Sequence, residues 1–469
     1  MRTENIQDIY ELSPIQQGIL FHCIYAPESG FYFVQKIFTL CGNLNYVAFK
    51  RAWQQVVARH TSLRTGFYWE DINKPLQVVY EKVEVPVEQQ DWRGLDPVAQ
   101  QQQLESFLER DRTKGFDLSQ ECLMRLTLFR LDDTTYKFIW TSHFINMDGW
   151  SVALVLSEFV QLYEAFCQNQ EISLTPGSSF INYITWLQQQ DFGKAETFWR
   201  QKLKGLKAPT SLTNLYIDRS SSREQKYDLQ RSFLSESTTA AIKSLARKHQ
   251  LTLNTLIQAT WALLLCRYTG KQKVVYGYTT AGRPVDLVGV ESMVGMTINS
   301  LPVWVEVDEQ QQFLTWSQRL QKQLVEMRQY EYSPLVEVQR WTELPRDVPL
   351  FESLVVFEKV PMLSTFQVSQ GELAIEMTDI LYKTNYPLNI VIYPFTKLTL
   401  EISYDCSRFD DITITGILQH LKILLQNIVS NPEIRLKDLS LLTPAEQEFS
   451  QVLATEAIFD FEFAYSSYI

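Results

Sequence analysis

Apolar positions along the first half of the chain fall into two periods, one helical and one extended. Ile15, Ile19, Leu20 and Cys23 recur at helical spacing behind Ser13-Pro14, a cap and first-turn pair, so a helix is expected there. Phe31 to Leu40 is dense in aromatic and β-branched residues and reads as a strand. Asn45 is placed to cap a helix running to about His60, with Val47, Phe49, Trp53, Val56 and Val57 on one face. Short strands are expected from Leu63 to Trp69 and from Pro75 to Val79, and a helix from Leu104 to Arg112. Met124 to Leu131 and Tyr136 to Ile145 read as a strand pair joined by a turn at Asp132-Asp133. Ser151 to Phe166 is apolar nearly all round, which marks a buried helix.

Gln168 to Ser179, with Pro176 and Gly177, is the best linker, and Lys207 to Lys226 reads as an exposed loop. Beyond it, helices are expected from Ser237 to His249 and from Thr252 to Tyr268, the second ending at Gly270. Strands at Val274 to Tyr278 and Ser300 to Val307 precede a helix from Gln310 to Tyr330. Strands at Leu354 to Phe357, Ile375 to Tyr382, Leu388 to Tyr393 and Leu398 to Tyr404 are expected to build one sheet, closed by a helix from Ile412 to Val429. Both halves mix helices and strands in a similar order, an α/β (α+β) pattern with two similar lobes and no residue-level repeat. The tail opens on Thr443-Pro444-Ala445-Glu446, a capping box, and ends in Phe459-Asp460-Phe461-Glu462-Phe463, a strand pattern with one sticky face.

Composition narrows the classes. At 469 residues the chain exceeds one ordinary domain. Lys plus Arg is 43 and Asp plus Glu is 54, so the net charge of −11 argues against a nucleic-acid partner, which needs a basic field. Aromatics at 13% favour large packed interfaces or a lined channel. The six cysteines show no metal-ligand or redox spacing and most sit in apolar runs, so buried reduced thiols and no metal are expected. The polar N-terminus has no apolar signal core and no run reaches transmembrane length, which points to the cytoplasm and away from a membrane partner.

The chemistry is expected where the strand from Tyr136 runs into Asp148-Gly149 and the buried helix. Amides at a helix start point outward and can stabilise an oxyanion. Gly149 lets backbone or substrate approach closely.

Several segments, in order, carry a family likeness. His143-Phe144-Ile145-Asn146-Met147-Asp148-Gly149-Trp150-Ser151 is similar to the HHxxxDGWS motif of condensation domains of nonribosomal peptide synthetases. Leu12-Ser13-Pro14-Ile15-Gln16-Gln17-Gly18 resembles that family's opening motif, and Arg59-His60-Thr61-Ser62-Leu63-Arg64-Thr65-Gly66-Phe67 its RHExLRTxF motif. Asn182-Tyr183-Ile184-Thr185-Trp186 resembles its YxDxxxW segment. Gly282-Arg283-Pro284, Val294 to Ser300, Ser333-Pro334-Leu335 and Asn385-Tyr386-Pro387-Leu388 resemble motifs of its second lobe. The resemblance implies two chloramphenicol-acetyltransferase-like lobes in a V with a central tunnel, residues 1–175 and then 176–446; the aromatic pattern of 447–469 reads as a tail for docking a partner. It also implies no bound cofactor. Carrier proteins of neighbouring synthetase modules would bring donor and acceptor on phosphopantetheine arms, and an acceptor amine would attack a donor thioester. Met1 and the aromatic tail favour a freestanding protein over an excised domain.

One position departs from the motif. The resemblance places the reactant-facing histidine four residues before Asp148, where this chain has Phe144. Phenylalanine neither accepts a proton nor hydrogen-bonds an amine. His143 is expected on the opposite strand face in a structural role, and Asn146 on the face of Phe144 if the strand stays regular. His22, His60, His249 and His420 show no partner that would make a base. The resemblance makes Asp148 and Arg283 a structural brace, and assigns Trp150, Ser151 and Asn299 to the tunnel. Three readings stand: a condensation-type acyltransferase with residual or altered activity, a degenerate domain kept for docking or recruitment, or an engineered active-site variant of a normal enzyme.

Overall fold

The computed structural model describes residues 5–212, 215, 227–358, 365–368 and 372–442. The expected capping box at Thr443 to Glu446, most of the loop before Lys226 and the docking tail lie outside them.

The first half runs β1 (Ile6–Glu11), α1 (Pro14–Tyr25), β2 (Phe33–Gly42), α2 (Tyr46–Arg59), β3 (Thr65–Tyr68), β4 (Leu76–Tyr80), β5 (Val87–Asp91), α3 (Pro97–Lys114), β6 (Met124–Arg130), β7 (Thr135–His143) and α4 (Gly149–Cys167). The second half runs α5 (Phe180–Gln188), α6 (Phe192–Lys202), β8 (Tyr227–Phe233), α7 (Glu236–Lys248), α8 (Leu253–Thr269), β9 (Lys273–Thr280), β10 (Asn299–Glu306), α9 (Phe313–Arg328) and α10 (Leu335–Arg340). It closes with β11 (Ser353–Phe357), β12 (Thr365–Val368), β13 (Leu373–Tyr382), β14 (Leu388–Pro394), β15 (Leu398–Asp405) and α11 (Asp411–Ser430).

Local signals set most of these boundaries. Ser13 and Gln16 form a reciprocal capping box at α1, and Asn45, Asp96, Asp148 and Thr252 cap α2, α3, α4 and α8 with their side chains. Asp132 Oδ1 accepts the amides of Thr134 and Thr135 and so holds the β6–β7 turn. Helix α3 begins well before the expected Leu104, because a run of glutamines carries no apolar period to betray it. Val47 is exposed, and the core face of α2 is Ala48, Phe49, Ala52, Trp53, Val56 and Val57.

Two six-stranded sheets organise the molecule, in the orders β12-β13-β2-β7-β6-β5 and β10-β9-β11-β14-β15-β8. A small sheet, β1-β4-β3, flanks the first. Helices α2 and α4 cover one face of the first sheet, where the Trp53 ring lies 4.9 Å from Trp140 and 4.7 Å from Phe159. Helix α8 is buried on nearly every side and lies between the second sheet and α9 and α11.

The strand expected as Ile375 to Tyr382 does not join β11, β14 and β15. It crosses over as β13 and pairs antiparallel with β2, from Leu373 opposite Gly42 to Tyr382 opposite Val34. A division of the chain at residue 175 therefore leaves part of the first sheet encoded in the second half. The crossover is tight at Gly42, whose φ is +127° and whose position would set a Cβ 1.9 Å from the Glu372 carbonyl oxygen. Contrary to the sequence expectation, one helix among the described residues, α11, is long and apolar enough to cross a membrane by length and composition. Its apolar stripe, including Ile414, Leu421, Leu424 and Ile428, is buried in the core.

Gly42→Ala is expected to lower stability in urea unfolding by at least about 1–3 kcal/mol, the cost of the backbone strain, with the clash against the Glu372 carbonyl adding to it. Gly18→Ala, inside α1 with open space around it, is expected to raise stability by about 0.5–1 kcal/mol in the same assay.

Candidate active site

The end of β7 sets the geometry. Along β2 and β7 one face is covered by α2 and α4 as far as Phe138 and Trp140. Helix α4 starts only at Gly149, so the last positions of that face look toward the second sheet. A cavity of about 1250 Å³ opens there between two lobes, each a six-stranded sheet with its helices, and both contribute walls. The first lobe contributes Tyr32, Val34, Lys36, Ser142, Phe144 and the start of α4, and the second contributes residues of α8, β9, β10, β11 and β14.

Strand β7 does not stay regular to Ile145. It ends at His143, and Phe144–Asn146 form a 3₁₀ turn. His143 makes that turn: its Nδ1 accepts the Ile145 amide at 3.2 Å. Its Nε2 lies 3.6 Å from Cys23 Sγ, and the ring sits edge-on to Phe116. The imidazole is 4% exposed, and burial pushes its pKa down to about 3, so it is neutral and faces away from the cavity. Asn146 is buried and is not on the cavity wall, because the turn rotates it off the face of Phe144.

Phe144 lines the cavity, its ring stacked on Tyr32 with centroids 6.4 Å apart. Tyr32 takes a left-handed φ of +64° and is held at three points. Its amide donates to Lys383 O, its carbonyl accepts the Phe144 amide, and its hydroxyl donates to Asn385 Oδ1 at 2.7 Å. Asn385 in turn contacts His22. His60 bonds Glu158 and His420 bonds Tyr268. Among the described residues no histidine lines the cavity.

Asp148 is fully buried and ties the lobes together. Its Oδ1 accepts the Ser151 amide and hydroxyl at 2.8 and 2.7 Å, and its Oδ2 accepts the Thr297 hydroxyl at 2.8 Å. Arg283 Nη2 lies 3.2 and 3.3 Å from the two oxygens. The same guanidinium donates to the Val290 and Met293 carbonyls, and Trp150 covers it with its ring centroid 5.3 Å from Cζ. Trp150 Nε1 donates to Glu291 O, so this cavity-wall residue also links the lobes.

Ser151 and Asn299 do not line the cavity. Ser151 is consumed by the brace: its hydroxyl also meets Gly295 O and accepts the Gly295 amide. Asn299 turns its amide to the Glu331 and Ser333 carbonyls. The α4 start is also less open than expected. Asp148 takes the Ser151 amide, and a Cβ on Gly149 would lie 2.5 Å from Glu358 Oε2.

Sequence reasoning passes over Tyr32, Lys36, Glu331 and Glu358, all on the cavity wall. Lys36 carries the clearest signal, being a lysine at an inward position of an apolar strand. Its Nζ donates to Ser142 Oγ at 2.8 Å and sits 4.3 Å from the Trp140 ring centroid. Burial pushes its pKa down to about 7. Burial pushes Glu331 up to about 7, an effect that Arg328 and a hydrogen bond from Thr280 offset only in part. Of the cysteines, Cys266 is buried but Cys41 is exposed, and all six are free.

Solved structures share this architecture. A four-domain nonribosomal peptide synthetase bound to AMP and glycine superposes with a TM-score of 0.79 at 19% identity, over 95% of this chain and 35% of that one. The starter condensation domain of rhizomide synthetase gives 0.78 at 18% identity, over 93% and 98% of the two chains. Among curated sequences, a linear gramicidin synthase protein of Brevibacillus parabrevis is 42% identical over 96% of this chain. Surfactin synthase subunit 3 of Bacillus subtilis (strain 168) is 30% identical over 95% of it. The chain spans 9% of the gramicidin synthase protein and 35% of the surfactin one. The condensation-domain family model matches residues 6–449. The chain belongs to the condensation-domain family of nonribosomal peptide synthetases.

Arg283→Met is expected to destabilise the protein by about 3–5 kcal/mol in urea unfolding, because it leaves the Asp148 charge buried without its counter-ion. The double variant Asp148→Asn/Arg283→Met is expected to recover part of that loss. Lys36 gives a pH signature. Its folded pKa of about 7 lies below the ordinary 10.5, so the unfolded chain binds the proton more tightly across that window. The isosteric Lys36→Met is expected to be more stable than the parent at and below pH 7, the gap closing as pH rises toward 10.5, in thermal or urea unfolding at a series of pH values.

Proposed function

We propose that this domain joins a carrier-bound acyl or aminoacyl thioester to an acceptor amine, and does so mainly by positioning. The observation that carries the reading is the roomy cavity between the lobes, on whose wall Phe144 lies stacked against Tyr32. Carrier proteins of adjoining modules would present the reactants on phosphopantetheine arms entering from opposite faces, in a cytoplasmic assembly. Phe144 occupies the place where the family resemblance expects a histidine. General acid–base help typically contributes about 10²–10⁴-fold, whereas alignment of two reactants contributes about 7–11 kcal/mol. A free amine is already a nucleophile and a thioester is already activated. The Asp148–Arg283 pair would hold the walls in register.

A second reading, a recruitment module that binds carriers without turnover, draws on the lack of any histidine on the described cavity wall. Loaded donor and acceptor carriers separate the two. The proposed reading predicts slow product from the protein as it stands and about 10²–10⁴-fold more from Phe144→His, followed by mass spectrometry. No product from either protein, with carrier binding retained in calorimetry, would leave the recruitment module standing in its place.

A further inference from the structure

Lys36 is a cation buried on the cavity wall among neutral neighbours. Lys36 is 3% exposed, and its Nζ has as neighbours the Ser142 hydroxyl and the face of Trp140. An ammonium has three protons to donate. One goes to Ser142 and the indole face attracts the charge, which leaves donor capacity directed at the cavity. The hydroxyl of Ser142 is spent only as an acceptor in that bond, so its own proton is also available beside the amine. The surroundings otherwise include Val34, Met377 and Ile380, which offer no compensating charge. No carboxylate of the described residues comes within ion-pair distance of Nζ, and burial without any charge partner accounts for its depressed basicity.

Several other charges on the wall have charged company: Asp148 pairs with Arg283, Arg328 acts on Glu331, and Asp405 acts on Lys383, whose ammonium also lies over the rings of Phe31 and Tyr227. A buried amine with no counter-ion is costly to keep and rare without a use. Ser142 is the penultimate residue of β7 and Phe144 opens the turn after it, so two residues of chain, roughly 7 Å when extended, separate the amine's partner from Phe144. That is too far for Lys36 to replace a base at residue 144. It is near the span of one amino-acid side chain measured from a reacting carbonyl.

We propose that Lys36, with Ser142, is a specificity-determining site that receives the side-chain carboxylate of one of the two carrier-bound reactants. The two donors match the two oxygens of a carboxylate, and the ligand supplies the negative charge that the protein omits. The inference rests on the acyl-binding reading of the cavity and names the substrate class that this wall selects.

The test uses the full chain with glutamyl, glutaminyl and leucyl N-acetylcysteamine thioesters, by titration calorimetry at pH 8 in buffers of different ionisation enthalpy. At that pH the free amine is largely neutral, so binding of the glutamyl thioester should take up close to one proton. Lys36→Met should weaken the glutamyl thioester about 10- to 100-fold, abolish the proton uptake and leave the leucyl thioester unchanged. The variant should fold, since it exchanges a buried cation for an apolar chain of similar shape, and its unfolding curve checks this. Glutamyl and leucyl thioesters binding with the same ratio in parent and variant, or glutamyl binding without proton uptake, would overturn the inference and leave the acyl-binding reading intact. Failure of every thioester to bind the parent would remove both.

Discussion

The Asp148 carboxylate carries its charge where no water reaches it, and the arrangement of the cavity follows from how that charge is held. It caps α4 on one side, accepts the Thr297 amide and hydroxyl on the other, and faces Arg283 across the junction. A surface ion pair contributes little, but a buried carboxylate stripped of its partners is a severe penalty. The junction is therefore closer to all-or-none than to a soft contact. Ser151, Gly295, Trp150 and Glu291 are drawn into the same network, so the walls around Phe144 are fixed relative to one another before any substrate arrives.

Much of the fold was legible because caps and periods are local. Ser13-Pro14, Asn45, Thr252 and Gly270 mark helix ends by side-chain chemistry that needs no distant partner. Helix α3 shows the limit, since a glutamine run hides its first turns. Strand β13 shows another. Its sequence has the right alternation for a strand, but which sheet it joins depends on β2, far away in the chain. At the site, Asp148, Arg283 and Phe144 could be singled out from motif order. Ser151 and Asn299 could not be separated from wall residues, because side chains next to each other in sequence point in different directions, about 100° apart on a helix and to opposite faces on a strand. The 3₁₀ turn after His143 likewise escapes a strand period, and with it the true position of Asn146.

The wall presents two groups poised near neutrality and of opposite sign, Lys36 in the first lobe and Glu331 in the second. Neither stands at residue 144. At residue 144 itself the wall is aromatic. Such a distribution favours selection and orientation of reactants over proton transfer at the bond being made, which agrees with amide formation between a ready nucleophile and an activated ester.

The crossover of β13 has a temporal side. Gly42 and Leu373 are partners on neighbouring strands of one sheet, yet more than three hundred residues of synthesis separate them. At about 5–20 residues per second, β2 emerges on the order of tens of seconds before the strand that covers its edge. During that interval the first lobe exposes a hydrogen-bonding edge flanked by Phe33, Ile37 and Leu40. A nascent chain paused there is a template for foreign strands, so the rate of translation and the chaperones near the ribosome bear on the yield of this domain as directly as its final stability does.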